Sequence, residues 1–218
     1  MSFKDKLKIL FSDKKYLISS ALGLVFLGIS FFVNYFAGLY ATRLASNAVT
    51  DFFLDKLPVF DIDGFFIYGA IALLAGILFL VARRPEYFPF VAKTVALFVL
   101  TRSLFMAVTH LGIIPEGIPL PTDNPIRWIT FGGDLFFSGH VGMPFLMALI
   151  FWRDKIVRYA FILISIVFGV VVLLGHFHYS IDVFAAYFIT YGVMDIAKLF
   201  FAKDWLFVER FKLTKPSF

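Results

Sequence analysis

The sequence predicts an all-α, polytopic membrane protein in which six hydrophobic spans pack into one bundle with both termini in the cytoplasm. Three observations carry that prediction. Of the 218 residues, 61% are hydrophobic and only 16% are charged, whereas about a quarter of an average soluble chain is charged. The apolar residues fall in several long runs, and a bilayer core about 30 Å thick needs about 20 such residues per helix. Finally, Lys and Arg are distributed unevenly between alternate loops, as expected of a chain sorted by the positive-inside rule.

The elements follow in order. Residues 1–15 form a basic cytoplasmic segment, and the apolar run after it, 16–39, is too long for a signal peptide and lacks a small-residue cleavage site, so it reads as a retained span. The stretch 41–63 mixes Asp51, Asp55, Lys56, Asp61 and Asp63 with Phe and Leu and suggests an interfacial amphipathic element. Spans two and three cover 65–82 and 91–110. The loop after them, 111–134, carries Pro115, Pro119, Pro121 and Pro125, which prevent a regular helix. Span four, 138–151, is short, and it is expected to start slightly earlier or to be only partly exposed to lipid, since the active-site end of a membrane helix can open into a polar cavity. Spans five and six cover 159–175 and 180–201, and residues 202–218 form a basic tail. The membrane catalytic domain is therefore expected over 16–201.

Sixteen of the twenty Lys and Arg residues fall in the two terminal segments, in the loops after spans two and four, or, as Lys93 and Lys198 do, at the adjoining ends of spans three and six. Only Arg43, Lys56 and Arg127 occupy the alternate loops, and Arg102 lies inside span three. Loops after spans one, three and five are thus expected to face away from the cytoplasm. The net charge of +5 is explained by this topology and by a lipid surface, not by nucleic acid. With no cysteine, disulfides and Cys-ligated metals are excluded.

This orientation sets His140, at the outer start of span four, level with His178 and Asp182 at the outer start of span six. The spacing of His178 and Asp182 is the one that stacks two side chains on a helical face. An Asp accepting the imidazole N–H fixes the tautomer and stabilises positive charge developing on the ring, which makes His178 a nucleophile suited to phosphorus. His140 is placed to protonate a departing oxygen and to deprotonate an incoming one. Ser138 is a good N-cap, and Gly139 permits close backbone approach, so "SGH" at a helix start offers N–H groups to phosphate. Arg102, an intramembrane cation, should face the interior and clamp a phosphate oxygen.

These residues sit in "GGDLFFSGH" and "GHFHYSIDVFAAYFIT", which resemble the last two signature motifs of the sphingomyelin synthase-related branch of the phosphatidic acid phosphatase type 2 superfamily. "TRSLFMAVTHLGIIP" resembles that branch's Arg-containing motif. The resemblance covers roughly residues 51–201. It implies a six-helix membrane domain, a His140, His178 and Asp182 triad, and either headgroup transfer between lipids or hydrolysis of a lipid phosphate. Asp134 matches the aspartate of the branch's "GD" pair. The superfamily's phosphatase pattern fits less well: Phe137 stands where it has Pro, Val171 and Val172 where it has Ser-Arg, and position 77 is Ile rather than Lys. Val141 stands where the synthases usually have Thr.

The expected activity is therefore transfer of a phospho-headgroup from a phospholipid to a lipid alcohol such as ceramide or diacylglycerol, through a phosphohistidine. The alternative is a lipid phosphate phosphatase or phospholipase C-like hydrolase in which water is the acceptor. His176 is a supporting candidate, as is Asp134. A zinc set of His176, His140 and Asp182 is the competing reading of "HFH", but alternate residues on one helix diverge, and no metal or other cofactor is expected. His110 reads as structural.

Overall fold

The structure, a computed structural model, describes residues 3–112, 114 and 136–213. Among these every regular element is helical: α1 (Phe3–Ser12), α2 (Lys14–Arg43), α3 (Asp63–Arg83), α4 (Phe88–Val108), α5 (Gly139–Ile150), α6 (Lys155–Leu174), α7 (Ser180–Phe200) and α8 (Ala202–Leu213). Short 3-10 turns at Leu54–Lys56 and Pro85–Tyr87 punctuate the connections. Five of the helices, α2, α3, α4 (with its preceding turn), α6 and α7, are long and apolar enough to cross a membrane.

The expected fourth span differs. Its helix, α5, has 12 residues, about 18 Å at the α-helical rise, well short of a bilayer core. The reason at its far end is visible in the sequence: Asp154 ends the apolar run by capping α6, accepting the Val157 N–H at 3.1 Å. Helix α5 is instead enclosed by protein, with Val141, Gly142, Pro144, Leu146, Met147, Ala148 and Ile150 buried. Six full spans are thus not established by this fold.

Close packing around α5 depends on Gly142. A Cβ there would lie 2.8 Å from the Phe98 ring of α4 and 2.8 Å from the Thr190 hydroxyl of α7. Phe98 is itself fully buried and has little room to retreat, so the glycine sets how near α5 comes to both neighbours. Ser165 of α6 adds a hydrogen bond to the Val141 carbonyl at 2.8 Å.

Several ion pairs cluster at one end of the bundle. There Lys6 pairs with Glu86, Arg84 with Asp154, and Arg153 with Glu209. Lys93 reaches Asp204 at 2.7 Å and Ser19 at 2.6 Å. Tyr16 donates to the Pro85 carbonyl at 2.8 Å. Helices α1 and α8 are held there by these contacts.

Three expectations follow. Gly142→Ala should lower the melting temperature in detergent through overpacking that costs about 1–3 kcal/mol; an unchanged melting temperature would contradict the packing account. Lys93→Met leaves the partly buried Asp204 carboxylate with the Ser19 hydroxyl, and should destabilise the fold by about 1.5–3 kcal/mol, measured by thermal unfolding. Burial works against Asp154 ionising, but the Arg84 hydrogen bond and the α6 backbone N–H groups outweigh it and hold the carboxyl below its ordinary value of 3.8. Its stabilisation is therefore complete above that value and lost as pH falls through the lower folded one. Asp154→Asn should flatten that part of the acid-unfolding curve.

Candidate active site

At the other end of the bundle the segments around "SGH" and "HYSID" meet. Helix α6 ends in a Schellman turn: the Phe177 N–H bonds the Val172 carbonyl at 2.9 Å and the His176 N–H bonds the Leu173 carbonyl at 3.1 Å. His176 takes the left-handed position of that turn, with φ of 52°, which is more often Gly but is tolerated by His. Gly175 is needed beside it, because a Cβ there would meet the Phe177 ring at 2.3 Å. The turn delivers His178 just ahead of α7, whose N-cap is Tyr179 with φ −67° and ψ 156°.

His178 thus precedes the helix and does not share a helical face with Asp182, contrary to the reading from spacing. The pair forms another way. Asp182 is the third residue of α7, and its carboxylate turns back over the helix start. One oxygen, Oδ2, accepts the Tyr179 N–H at 2.9 Å and lies 3.3 Å from His178 Nδ1. Glu or Gln commonly makes this reach-back in a capping box; here Asp does so while also orienting an imidazole. Asp182 is 0% exposed and His178 5%.

The same aspartate ties in α5 through its backbone. Its carbonyl accepts the Ser138 N–H at 3.1 Å, joining the two motif segments directly. Ser138 occupies the N-cap of α5, as its residue type suggests, but its side chain makes no capping hydrogen bond. Its fully buried hydroxyl has no partner among the described residues. The first N–H groups of α5 are those a helix cannot satisfy internally. Pro144 also lacks the N–H that would otherwise bond the His140 carbonyl.

Arg102 approaches the same helix start from α4. Its Nε donates to the Phe137 carbonyl at 2.9 Å, and a Cβ on Gly139 would lie 3.4 Å from that nitrogen. His140, on the first turn of α5, is within electrostatic reach of both His178 and Arg102. Its ring stacks on Phe66 with centroids 4.0 Å apart, and Phe66 stacks in turn on Phe177 at 4.4 Å. His140, His178, Asp182, Arg102, Ser138 and Gly139 therefore share one locality.

Other candidates fall elsewhere. His176 faces the 44–62 connection, its Nε2 lying 3.2 Å from the Leu57 carbonyl, and its buried Nδ1 has no partner among the described residues. Asp134 lies outside the described residues. Among the described residues no group of three or more His, Cys, Asp or Glu side chains is arranged to hold a metal ion. His110 packs its ring against Tyr40 at 5.6 Å.

The spacing argument missed Tyr179 and Asp51. The Tyr179 hydroxyl donates to the Gly112 carbonyl at 2.9 Å, and Asp51 accepts the Ser180 N–H at 2.7 Å. Neither contact has a local sequence signal, since the partners are 67 and 129 residues apart.

No curated protein and no solved structure matches the chain significantly. Residues 132–199 match a family model described as PAP2 superfamily C-terminal, a window containing Ser138, Gly139, His140, His178 and Asp182 but not Arg102 or Asp51. That match supports placing the chain in the PAP2 superfamily, and it does not distinguish the sphingomyelin synthase-related branch.

Proposed function

We propose that this protein is an integral membrane phosphotransferase that moves a phospho-headgroup from a phospholipid to a lipid alcohol, ceramide or diacylglycerol, through a phosphohistidine. The observation that carries this is the His178–Asp182 pair lying beside a helix start that offers backbone N–H groups, a buried serine hydroxyl and an arginine. The PAP2 match supports chemistry on phosphate esters, of phosphatase or phosphotransferase type. The sphingomyelin synthase-like assignment rests on the motif resemblance.

In the first half-reaction His178 Nε2 uses its lone pair on phosphorus, forming N–P as the P–O bond to diacylglycerol breaks. Asp182 holds the Nδ1 proton and offsets the charge gained by the ring. His140 gives its proton to the departing oxygen. The Ser138 hydroxyl, the N–H groups of Gly139 and His140, and Arg102 hold the phosphate oxygens as charge builds on them. In the second half-reaction the acceptor hydroxyl loses its proton to His140 and attacks phosphorus, and the N–P electron pair returns to His178.

The same residues with water as acceptor would make a lipid phosphate hydrolase. Burial favours the lipid alcohol: the nucleophile and its carboxylate are nearly sealed from solvent, and a closed site suppresses hydrolysis of a reactive intermediate. By the charge bias, the site faces the non-cytoplasmic side, which is the inner-membrane exterior in a bacterium or the lumenal or exoplasmic face in a eukaryote.

Purified protein given headgroup-labelled phospholipid should yield a new labelled lipid only when ceramide, or a diacylglycerol whose acyl chains differ from the donor's, is supplied. Release of labelled phosphate or phospho-headgroup without an acceptor would instead establish the hydrolase. His178→Ala should lower turnover at least ~10⁴-fold, the scale of losing a nucleophile that works as part of a triad; full turnover in that variant would rule out the mechanism.

A further inference from the structure

The connection between α2 and α3, residues 44–62, is a strap hydrogen-bonded along its length to the segments around the site. Ser46 bonds the His110 carbonyl through its N–H at 3.1 Å and its hydroxyl at 2.6 Å. The Val49 N–H reaches the Tyr179 hydroxyl at 3.3 Å. The Leu57 carbonyl meets His176, and the Phe60 N–H donates to the Leu174 carbonyl at 2.9 Å. Gly112 permits this close course, because a Cβ there would lie 2.3–2.4 Å from the strap backbone at 46–48.

The central tether is Asp51, a buried carboxylate that uses both oxygens. Oδ1 accepts the Phe53 and Leu54 N–H groups at 2.9 and 3.1 Å, fixing the strap's own turn. Oδ2 accepts the Ser180 N–H at 2.7 Å and the Ser180 hydroxyl at 2.8 Å. Ser180 is the first residue of α7, and the N-cap side chain of Tyr179 is committed to Gly112. The cap that a helix start ordinarily receives from its own N-cap residue therefore comes here from a residue 129 positions earlier in the chain.

We infer that Asp51 is a positioning residue for the phosphotransfer site: by capping α7 from the strap it holds the first turn in place, and with it Asp182 and the His178 ring that Asp182 orients. The inference rests on the His178 reading of the site given above. Two carboxylates bracket one helix start, Asp51 from outside the helix and Asp182 from within it. Burial works against ionisation of Asp51, but the Ser180 hydroxyl and the N–H groups of Leu54, Ser180 and Phe53 outweigh it and hold the carboxyl below its ordinary value of 3.8. A charged acceptor is therefore in place at neutral pH, where the positive end of the α7 dipole also favours it.

Asp51→Asn preserves size but leaves one acceptor oxygen for two sets of donors. It should reduce kcat by about tenfold or more, since small displacements of reacting groups have effects of that size, while KM stays near its original value. Ser180→Ala, which removes the hydroxyl and keeps the N–H, should show a smaller loss, and the double variant should lose less than the product of the two effects. The chain has four histidines, so ¹⁵N spectra of its imidazoles can be resolved; in Asp51→Asn the His178 Nδ1 resonance should shift while that of His110 stays.

Unchanged kcat with an unmoved His178 resonance would overturn the inference. So would a lower melting temperature with normal kcat per folded molecule. If Asp51→Asn does not fold, Ser180→Ala carries the same readouts. His178→Ala run alongside separates the two levels: an active His178→Ala removes the mechanism itself, whereas an inactive His178→Ala beside a fully active Asp51→Asn removes only the role of Asp51.

Discussion

The site is organised around a single buried carboxylate. Asp182 accepts the Tyr179 N–H and faces His178 with one oxygen, while its backbone carbonyl accepts the Ser138 N–H. Such a group is costly to remove from water, and the cost is offset by a helix start that supplies N–H donors and a favourable dipole. One residue thereby fixes the start of α7, the orientation of an imidazole and the approach of α5.

The rest of the fold can be understood as keeping that junction dry and rigid. Helix α5 is too short to span a bilayer and is instead sheathed by α4, α6 and α7, with Gly142 setting the contact distance. Aromatic rings from α3 and α6, Phe66 and Phe168, cover His140. At the far end Lys93 and Asp204, Lys6 and Glu86, and Arg84 and Asp154 neutralise one another. This division is chemically sensible: ion pairs stabilise the end that carries α1 and α8, and the buried Ser138 hydroxyl, without a partner among the described residues, lies at the end where an anion would bind.

Much of this was legible from residue order. Long apolar runs marked α2, α3, α4, α6 and α7, whereas the side-chain caps Asp13 and Asp154 at α2 and α6 went unread. Motif and topology set "SGH" and "HYSID" at one membrane level, and in the structure the Ser138 N–H meets the Asp182 carbonyl. The route by which His178 meets Asp182 was not legible, because a four-residue spacing looks the same whether both residues lie in a helix or the helix starts between them. Six spans were expected, the fourth of them short, because hydropathy cannot distinguish a helix that crosses lipid from one wrapped in protein. Asp51 was invisible as a contributor, since an acidic residue in a connecting segment shows nothing of a partner far along the chain. Ser138 looked like a helix cap, and only its buried surroundings show a hydroxyl left over for another partner.

The central claim is that His178 becomes covalently bonded to phosphorus during turnover. Rapid quenching of the reaction with headgroup-labelled phospholipid, followed by peptide mapping, tests it most directly. The account predicts an acid-labile, base-stable label on the peptide containing His178. Label on His140 instead, or turnover with no labelled protein at any time, would contradict it.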